Sequence, residues 1–317
     1  MKLITHKDII SLNVTSEMCY DWAVDMIREK KTALLPPKIS IKPKEGVFCN
    51  VMPSFVPCSD GFVGGVKVVT RYPNRSPSLD SKILLFDAGT GNFLALMDGN
   101  WITAMRTGAV AAHSVLLFAK SNFSTIGVMG LGNVSRATMQ VLASKICDRN
   151  ITIKLLKHNG DEKDFAEKFK DFNNFNFEFV ENYFDLVKGS DVVLSGVTYA
   201  PENFCSNDAF DEGVLVQPIH TLGFTNCDLF FDKVFADDYG HVCNFKNFEK
   251  FKNFAEVCDV VNGIVVGREN DLERILAYNV GTSTHDINFA ANIYKLLCES
   301  TNMEEFDFKE PTEKFWV

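Results

Sequence analysis

The sequence lacks several features, each of which would have fixed a class of function. None of its nine cysteines falls in a C-x-x-C pair, which argues against a zinc site or a dithiol redox motif. An odd number of scattered thiols suits a reducing compartment better than a disulfide framework. No run approaches the ~18 apolar residues of a membrane span, and the N-terminal MKLITHKDII has no signal-peptide core. Positive charge is in deficit as well. A net charge of -9 argues against nucleic acid or an anionic membrane as the main partner, since neither attracts an acidic surface. No internal repeat and no metal-ligand spacing is found. These absences leave a cytoplasmic globular protein of ordinary composition, 46% hydrophobic and 23% charged. Its 317 residues are long enough for two domains.

What the sequence does contain is concentrated between Asp98 and Arg136. An apolar helix over residues 100–120 is followed at once by a strand, Ser124–Met129, and by the turn Gly130-Leu131-Gly132-Asn133-Val134-Ser135. Strand, glycine turn and helix in that order give a G-x-G motif its meaning. The first glycine permits the turn, the second lets a pyrophosphate approach the backbone, and the helix N-terminus offers amide donors. Ser135 is the small residue at the third position. The preceding helix is apolar nearly all round, which predicts burial. Thr103, Arg106 and His113 nevertheless share one of its faces. A buried guanidinium needs an anion, either a protein carboxylate or a ligand's.

Around this centre the chain changes character twice. A helix is predicted at Ser16–Lys31, and Pro36-Pro37 then open an extended stretch. From Lys38 to Leu96 short β-like runs separated by Pro, Gly, Asn and Asp predict a mostly antiparallel sheet. Beyond Ser124 the strand signals Ile151–Leu156, Asn176–Val180, Asp191–Ser195, Val214–Ile219 and Val234–Asp237 alternate with helical ones such as Asp161–Phe172. That alternation predicts an α/β, doubly wound parallel sheet of Rossmann type. Asp271–Glu299 reads as one long helix returning to the first domain. The expected division is a dinucleotide-binding domain, 120–285, inserted into a second α+β domain made of 1–119 plus 286–317. A ligand site at their junction is the expected consequence.

Several residues could carry chemistry. Lys67 interrupts the apolar strand GGVKVVT. Either it is an edge-strand lysine turned outward, or its ammonium enters a pocket to meet a carboxylate. Lys38 could join it, and with Arg106 the three describe a site for a small carboxylic acid. The second strand of the alternating region ends in Lys157 and His158, with no acid before Asp161. This tilts the cofactor toward NADP(H) over NAD(H), because basic residues there accommodate a 2′-phosphate. His220 follows an apolar strand at its C-terminal end and has a pKa suited to proton transfer. His285 and Asp286 could line the junction or cap its packing, whereas His6 and His241 read as surface.

With these residues quoted, the chain resembles the ornithine cyclodeaminase/μ-crystallin family from about Leu35 to Leu297. The motifs are PPK at 36–38, NVMP at 50–53, GVKVV followed by Pro73-Asn74, LLFDAGTG at 84–91, LALMDGNWITAMRTGAVAA at 94–112, GLGNVS at 130–135 and ERILAYNVGTSTHDINFA at 273–290. The resemblance implies a homodimer whose split domain forms the dimer contact and the substrate floor. It implies an NAD(P)-dependent enzyme acting on the C–N bond of a small amino or imino acid. It assigns the substrate carboxylate to Lys67 and Arg106, with Lys38 where many members have an arginine. Carried over by motif, it assigns Ser78, Ser135, Thr198, Asn279 and Gly281 to the cofactor; these join Gly130, Gly132, Asn133 and Val134 of the glycine turn, Lys157 and His158 after the second strand, and Thr103 and Arg106 of the buried helix. Two departures stand out. Val134 replaces the glutamine usual in the glycine turn, and QPIHTLGF offers His220 or Thr221 where cyclodeaminases carry an aspartate. The leading expectation is therefore an imine reductase or amino acid dehydrogenase, with Lys67, Arg106 and His220 as catalytic residues. The alternatives are an ammonia lyase that recycles NAD internally and a non-catalytic protein that binds NADPH and a small ligand.

Overall fold

The computed structural model describes residues 1–59, 61–197, 203–219, 230–300 and 305–306. The chain forms two compact units. One comprises Met1–Val14, Ala33–Ile102 and Asp286–Val317, the other Thr15–Thr32 and Thr103–His285. The parallel-sheet unit thus takes in 15–32 and 103–119 as well as 120–285.

The first unit is built on a six-stranded sheet, ordered Lys2–Ile4, Phe93–Asp98, Leu79–Asp87, Gly61–Arg71, Val47–Cys58 and Ile39–Lys44. Its pairs are antiparallel except the first, which is parallel. Alternation fixes which face is covered. Met52, Ser54 and Val56, then Ser81, Ile83 and Leu85, are buried at every second position. A one-residue slip would turn those side chains to the other face, and burying an Ile or Leu contributes about 1.5–3 kcal/mol. The helix Ser283–Ser300 supplies Ile287, Phe289, Ile293 and Leu297 to the core.

The second unit holds an eight-stranded sheet in which every pair is parallel. Its order is Ala255–Glu256, Lys233–Ala236, Ile275–Tyr278, Leu215–Pro218, Val192–Ser195, Thr125–Met129, Ile151–Leu156 and Phe175–Val180. Val192–Ser195, Leu215–Pro218 and Ile275–Tyr278 are buried along their whole length, as strands covered on both faces must be. The helix Ser16–Arg28, capped by the Thr15 hydroxyl, packs on the helix Asn133–Lys145. The apolar helix Asn100–Phe118 also meets Asn133–Lys145. A Cβ on Gly108 would stand 2.5 Å from the carbonyl carbon of Ala137, so glycine is what lets the two backbones meet.

One expected element is corrected. Asp271–Glu299 is not a single helix, because Ile275–Tyr278 is a strand inside the parallel sheet and the helix starts at Ser283. The run ILAY is apolar at every position, a pattern that a buried helix and a buried strand share. Gly281, at φ 76°, then supplies a turn that a continuing helix would not contain. The helix expected over Asp161–Phe172 is also shorter, ending at Lys168. Among the described residues no helix is long and apolar enough to cross a membrane.

Candidate functional site

The strand Thr125–Met129 has Ile151–Leu156 on one side and Val192–Ser195 on the other. The strand order reverses there, and ligands of open parallel sheets sit at the carboxyl ends of such strands. At that end Gly130 adopts φ 78°, and a Cβ on it would stand 2.7 Å from the carbonyl carbon of Gly196. The Ser135 hydroxyl donates to the Gly130 carbonyl at 2.6 Å and closes the turn. Gly132 differs from both. It has ordinary extended dihedrals, φ -77° and ψ -172°, and caps the helix Asn133–Lys145 without a side-chain hydrogen bond. A Cβ on Gly132 would meet nothing within 4 Å. Local packing therefore does not require this glycine, while open space and a bare helix N-terminus fit an approaching phosphate. Gly132 and Asn133 are exposed, Val134 half-buried and Ser135 buried.

At the end of the next strand, Lys157 and His158 are both exposed and both engaged. Lys157 forms an ion pair with Glu181, and His158 Nδ1 lies 3.3 Å from Asp161 Oδ2. The Glu162 carboxylate folds back to accept the His158 backbone N–H at 3.0 Å. That bond holds Glu162 below the usual carboxylate range. Two carboxylates besides Asp161 thus surround the basic pair.

Arg106 is buried on the helix Asn100–Phe118, as its apolar surroundings predict. A Cβ on Gly281 would stand 2.5 Å from its Nη1, so the guanidinium lies directly over the glycine of the turn. That turn is also held by a carboxylate. Asp237 accepts the backbone N–H of Val280 at 3.2 Å and of Gly281 at 2.9 Å, while burial raises its pKa. The Asn279 amide is engaged inside the unit, with Gln217 and with the Ser114 hydroxyl. Thr103 is half-buried, and its carbonyl accepts the Thr107 hydroxyl at 2.6 Å. On the same helix, His113 Nδ1 lies 3.1 Å from the Tyr20 hydroxyl. Burial, with Arg28 nearby, pushes the His113 pKa down to about 4. His241 is not a surface residue, because its side chain is 2% exposed and lies 2.5 Å from Asp238. Lys30 also binds Asp238, at 2.7 Å. Burial alone would raise the Asp238 pKa, but these partners hold it down at about 2.

In the first unit Lys67 is not an outward-facing edge lysine. Its strand lies between Val47–Cys58 and Leu79–Asp87, and the residue is 1% exposed. Its Nζ lies 2.6 Å from Oδ2 of Asp286, itself fully buried. The pairings Ile39 with Val51 and Val51 with Val68 put position 38 level with Met52 and Lys67. Two strand spacings, about 10 Å, separate Lys38 from Lys67. Lys38 and Ser78 are half-buried, and the Ser78 carbonyl accepts from Arg75 at 3.1 Å. His220 and Thr198 lie outside the described residues.

Sequence reasoning had left Asp286 open and passed over Asp237 and Gly65. Each had a signal. Asp286 opens the returning helical run, Asp237 follows an apolar strand at its carboxyl end, and Gly65 lies two residues before Lys67 on the same strand face.

A parallel sheet with an open glycine turn at its reversal point, joined to an antiparallel sheet unit with a buried lysine, defines a dinucleotide-binding α/β protein of two units. The chain belongs to the ornithine cyclodeaminase/mu-crystallin family, whose model matches residues 2–301. It is 26% identical to the nodulation efficiency protein NfeD of Rhizobium meliloti over 82% of this chain and 83% of that protein. It is 30% identical to the ketimine reductase mu-crystallin of Mus musculus over 49% of this chain. That match spans about half of the mouse protein, 48%. Among solved structures it shares the fold of Thermococcus litoralis Δ(1)-pyrroline-2-carboxylate reductase in complex with NADH and L-proline. The TM-score is 0.82 at 24% identity, covering 96% of this chain and 100% of that one.

Proposed function

We propose that this protein is a nicotinamide-dependent oxidoreductase acting on the C–N bond of a small α-imino or α-amino acid. The observation that carries the reading is the burial of two basic side chains, Lys67 and Arg106, in a family member whose glycine turn is open at Gly132. The second unit would hold the dinucleotide. Gly130, Gly132, Asn133, Val134 and Ser135 would receive its phosphates, and Ser78, Thr103, Arg106, Thr198, Asn279 and Gly281 would position the rest. When bound, the nicotinamide supplies or accepts the hydride at the carbon of the C–N bond.

The chain's own residues bind and orient. Lys67 and Arg106, with Lys38, are the groups proposed to clamp the substrate carboxylate, and fixed orientation provides much of the rate. His220 is the proposed group that exchanges a proton with the substrate nitrogen. The first unit would also carry the dimer contact.

For the cofactor, the loop after the second strand favours NAD(H). Lys157 and His158, which in the sequence tilted the choice to NADP(H), each face a carboxylate, and Glu162 adds a further negative charge. A 2′-phosphate would enter an acidic loop, whereas a ribose hydroxyl would find acceptors.

The test is steady-state turnover of cyclic imines, 2-oxo acids with amines, and diamino acids. NADH or NADPH consumption and ammonia release are followed in the same samples. Cofactor consumption with an imino acid supports the reading. Ammonia released from a diamino acid without net cofactor change would replace it by the cyclodeaminase reading. Tight cofactor binding with no turnover across the panel would replace it by a binding role.

A further inference from the structure

On the strand Gly61–Arg71, Val63, Gly65, Lys67 and Val69 share the buried face. Gly65 and Lys67 are neighbours there. A Cβ on Gly65 would stand 2.4 Å from Cδ1 of Ile287, so the missing side chain lets the helix Ser283–Ser300 settle onto the sheet at that point. One residue earlier on the helix, Asp286 meets Lys67 at 2.6 Å. The strand step from 65 to 67 and the helix step from 287 to 286 thus bring a glycine–isoleucine contact and an ion pair together.

A buried ion pair is a poor device for fastening a helix to a sheet, because an apolar pair of similar volume does so as well or better. What it supplies, and an apolar pair does not, is a positive charge of fixed position and direction. An ammonium on four methylenes is otherwise a mobile point charge, and one that surrenders its proton readily when desolvated.

We propose that Asp286 is the positioning residue for Lys67: it fixes the ammonium and keeps it charged for a substrate carboxylate, with Gly65 setting the approach. The proposal rests on the reading of Lys67 as a carboxylate-binding group.

The experiment compares wild type, Asp286→Asn, Asp286→Glu and Gly65→Ala in NADH-dependent reduction of Δ(1)-pyrroline-2-carboxylate across pH, with NADH affinity from fluorescence titration. For Asp286→Asn, KM for the imine should rise about tenfold or more, with a smaller change in kcat. Its alkaline limb of kcat/KM should move to lower pH, because a lysine facing a neutral amide in place of a carboxylate deprotonates sooner. NADH affinity should stay within about twofold of wild type, as for any change confined to the substrate side. Asp286→Glu should recover part of the loss, and Gly65→Ala should shift KM in the same direction. Wild-type KM with an unmoved alkaline limb in Asp286→Asn would overturn the proposal.

If Asp286→Asn does not fold, the apolar pair Lys67→Met with Asp286→Leu restores a neutral core. Under the proposal it loses no more activity than Lys67→Met alone, and a substantially larger loss would show Asp286 acting other than through Lys67. A wild-type protein that reduces no imine would sink the functional reading instead. The pair would then be tested by the pH at which the Lys67 ammonium titrates in nitrogen NMR, expected lower in Asp286→Asn and, if equal, contradicting the proposal.

Discussion

Nη1 of Arg106 lies 2.5 Å from the point where a Cβ on Gly281 would stand. The guanidinium therefore fills the space that any side chain at 281 would need. The backbone there is left-handed, at φ 76°, and Asp237 pins it through two N–H groups. Arginine, glycine and carboxylate thus meet at one turn within the second unit.

Gly281→Ala should accordingly cost stability twice over, through the strained dihedral and the displaced arginine. A loss of about 1–3 kcal/mol is expected in urea unfolding, with a raised KM for an imino-acid substrate. An unchanged unfolding midpoint and KM would mean that the turn at Gly281 is not what orients Arg106.

Gly132→Ala should behave in the opposite way. Nothing lies within 4 Å of its missing Cβ and its dihedrals are unexceptional, so stability should change by less than about 0.5 kcal/mol. NADH affinity should nonetheless fall about tenfold, because the new methyl enters the space left for the pyrophosphate. Isothermal calorimetry reads both the affinity and its enthalpy. Undiminished affinity would place the phosphates elsewhere.

His113 gives a pH dependence of stability with a defined sign. Its pKa is about 4 in the folded chain against an ordinary 6.5, so between those values the unfolded chain binds more protons. Stability is then complete above pH 6.5 and is lost as pH falls toward 4, by at most roughly 3.5 kcal/mol. His113→Phe should flatten that part of the profile in denaturant titrations. A variant with the wild-type slope would assign the slope to another group.

The acidic loop beyond the second strand predicts that NADH binds more tightly than NADPH. Removing charge by Glu162→Gln together with Glu181→Gln should narrow the difference, since it frees Lys157 and lessens repulsion of a 2′-phosphate. Competitive fluorescence titration measures it. Tighter NADPH binding by wild type would restore the basic reading of Lys157 and His158.

The parts of this molecule legible in its sequence are those whose signal is local. The glycine turn lies between a strand and a helix, and the short β-like runs of 38–96, set apart by Pro, Gly, Asn and Asp, announce an antiparallel sheet. Arg106 stood out because an apolar helix gives a cation few other reasons to be there. What could not be read depended on partners distant in the chain. Asp286 meets Lys67 across more than two hundred residues, and Lys157 meets Glu181 on another strand's end. No spacing rule connects such pairs. The strand Ile275–Tyr278 reads as helix in the sequence because an all-apolar run has no period, and only its place within the parallel sheet decides between the two. The helical pattern of Ser16–Lys31 announces the helix Ser16–Arg28 but carries no sign that it packs on Asn133–Lys145.

The central claim is that this chain moves a hydride to the α-carbon of an imino acid. The most direct measurement supplies NADH deuterated at both C4 positions with Δ(1)-pyrroline-2-carboxylate, then examines the product by mass spectrometry and proton NMR. The account predicts proline carrying a single deuterium at its α-carbon from wild type, and little or none from Lys67→Met. Proline formed without deuterium, or no amino acid from this imine or from any other in a broad set, would contradict it.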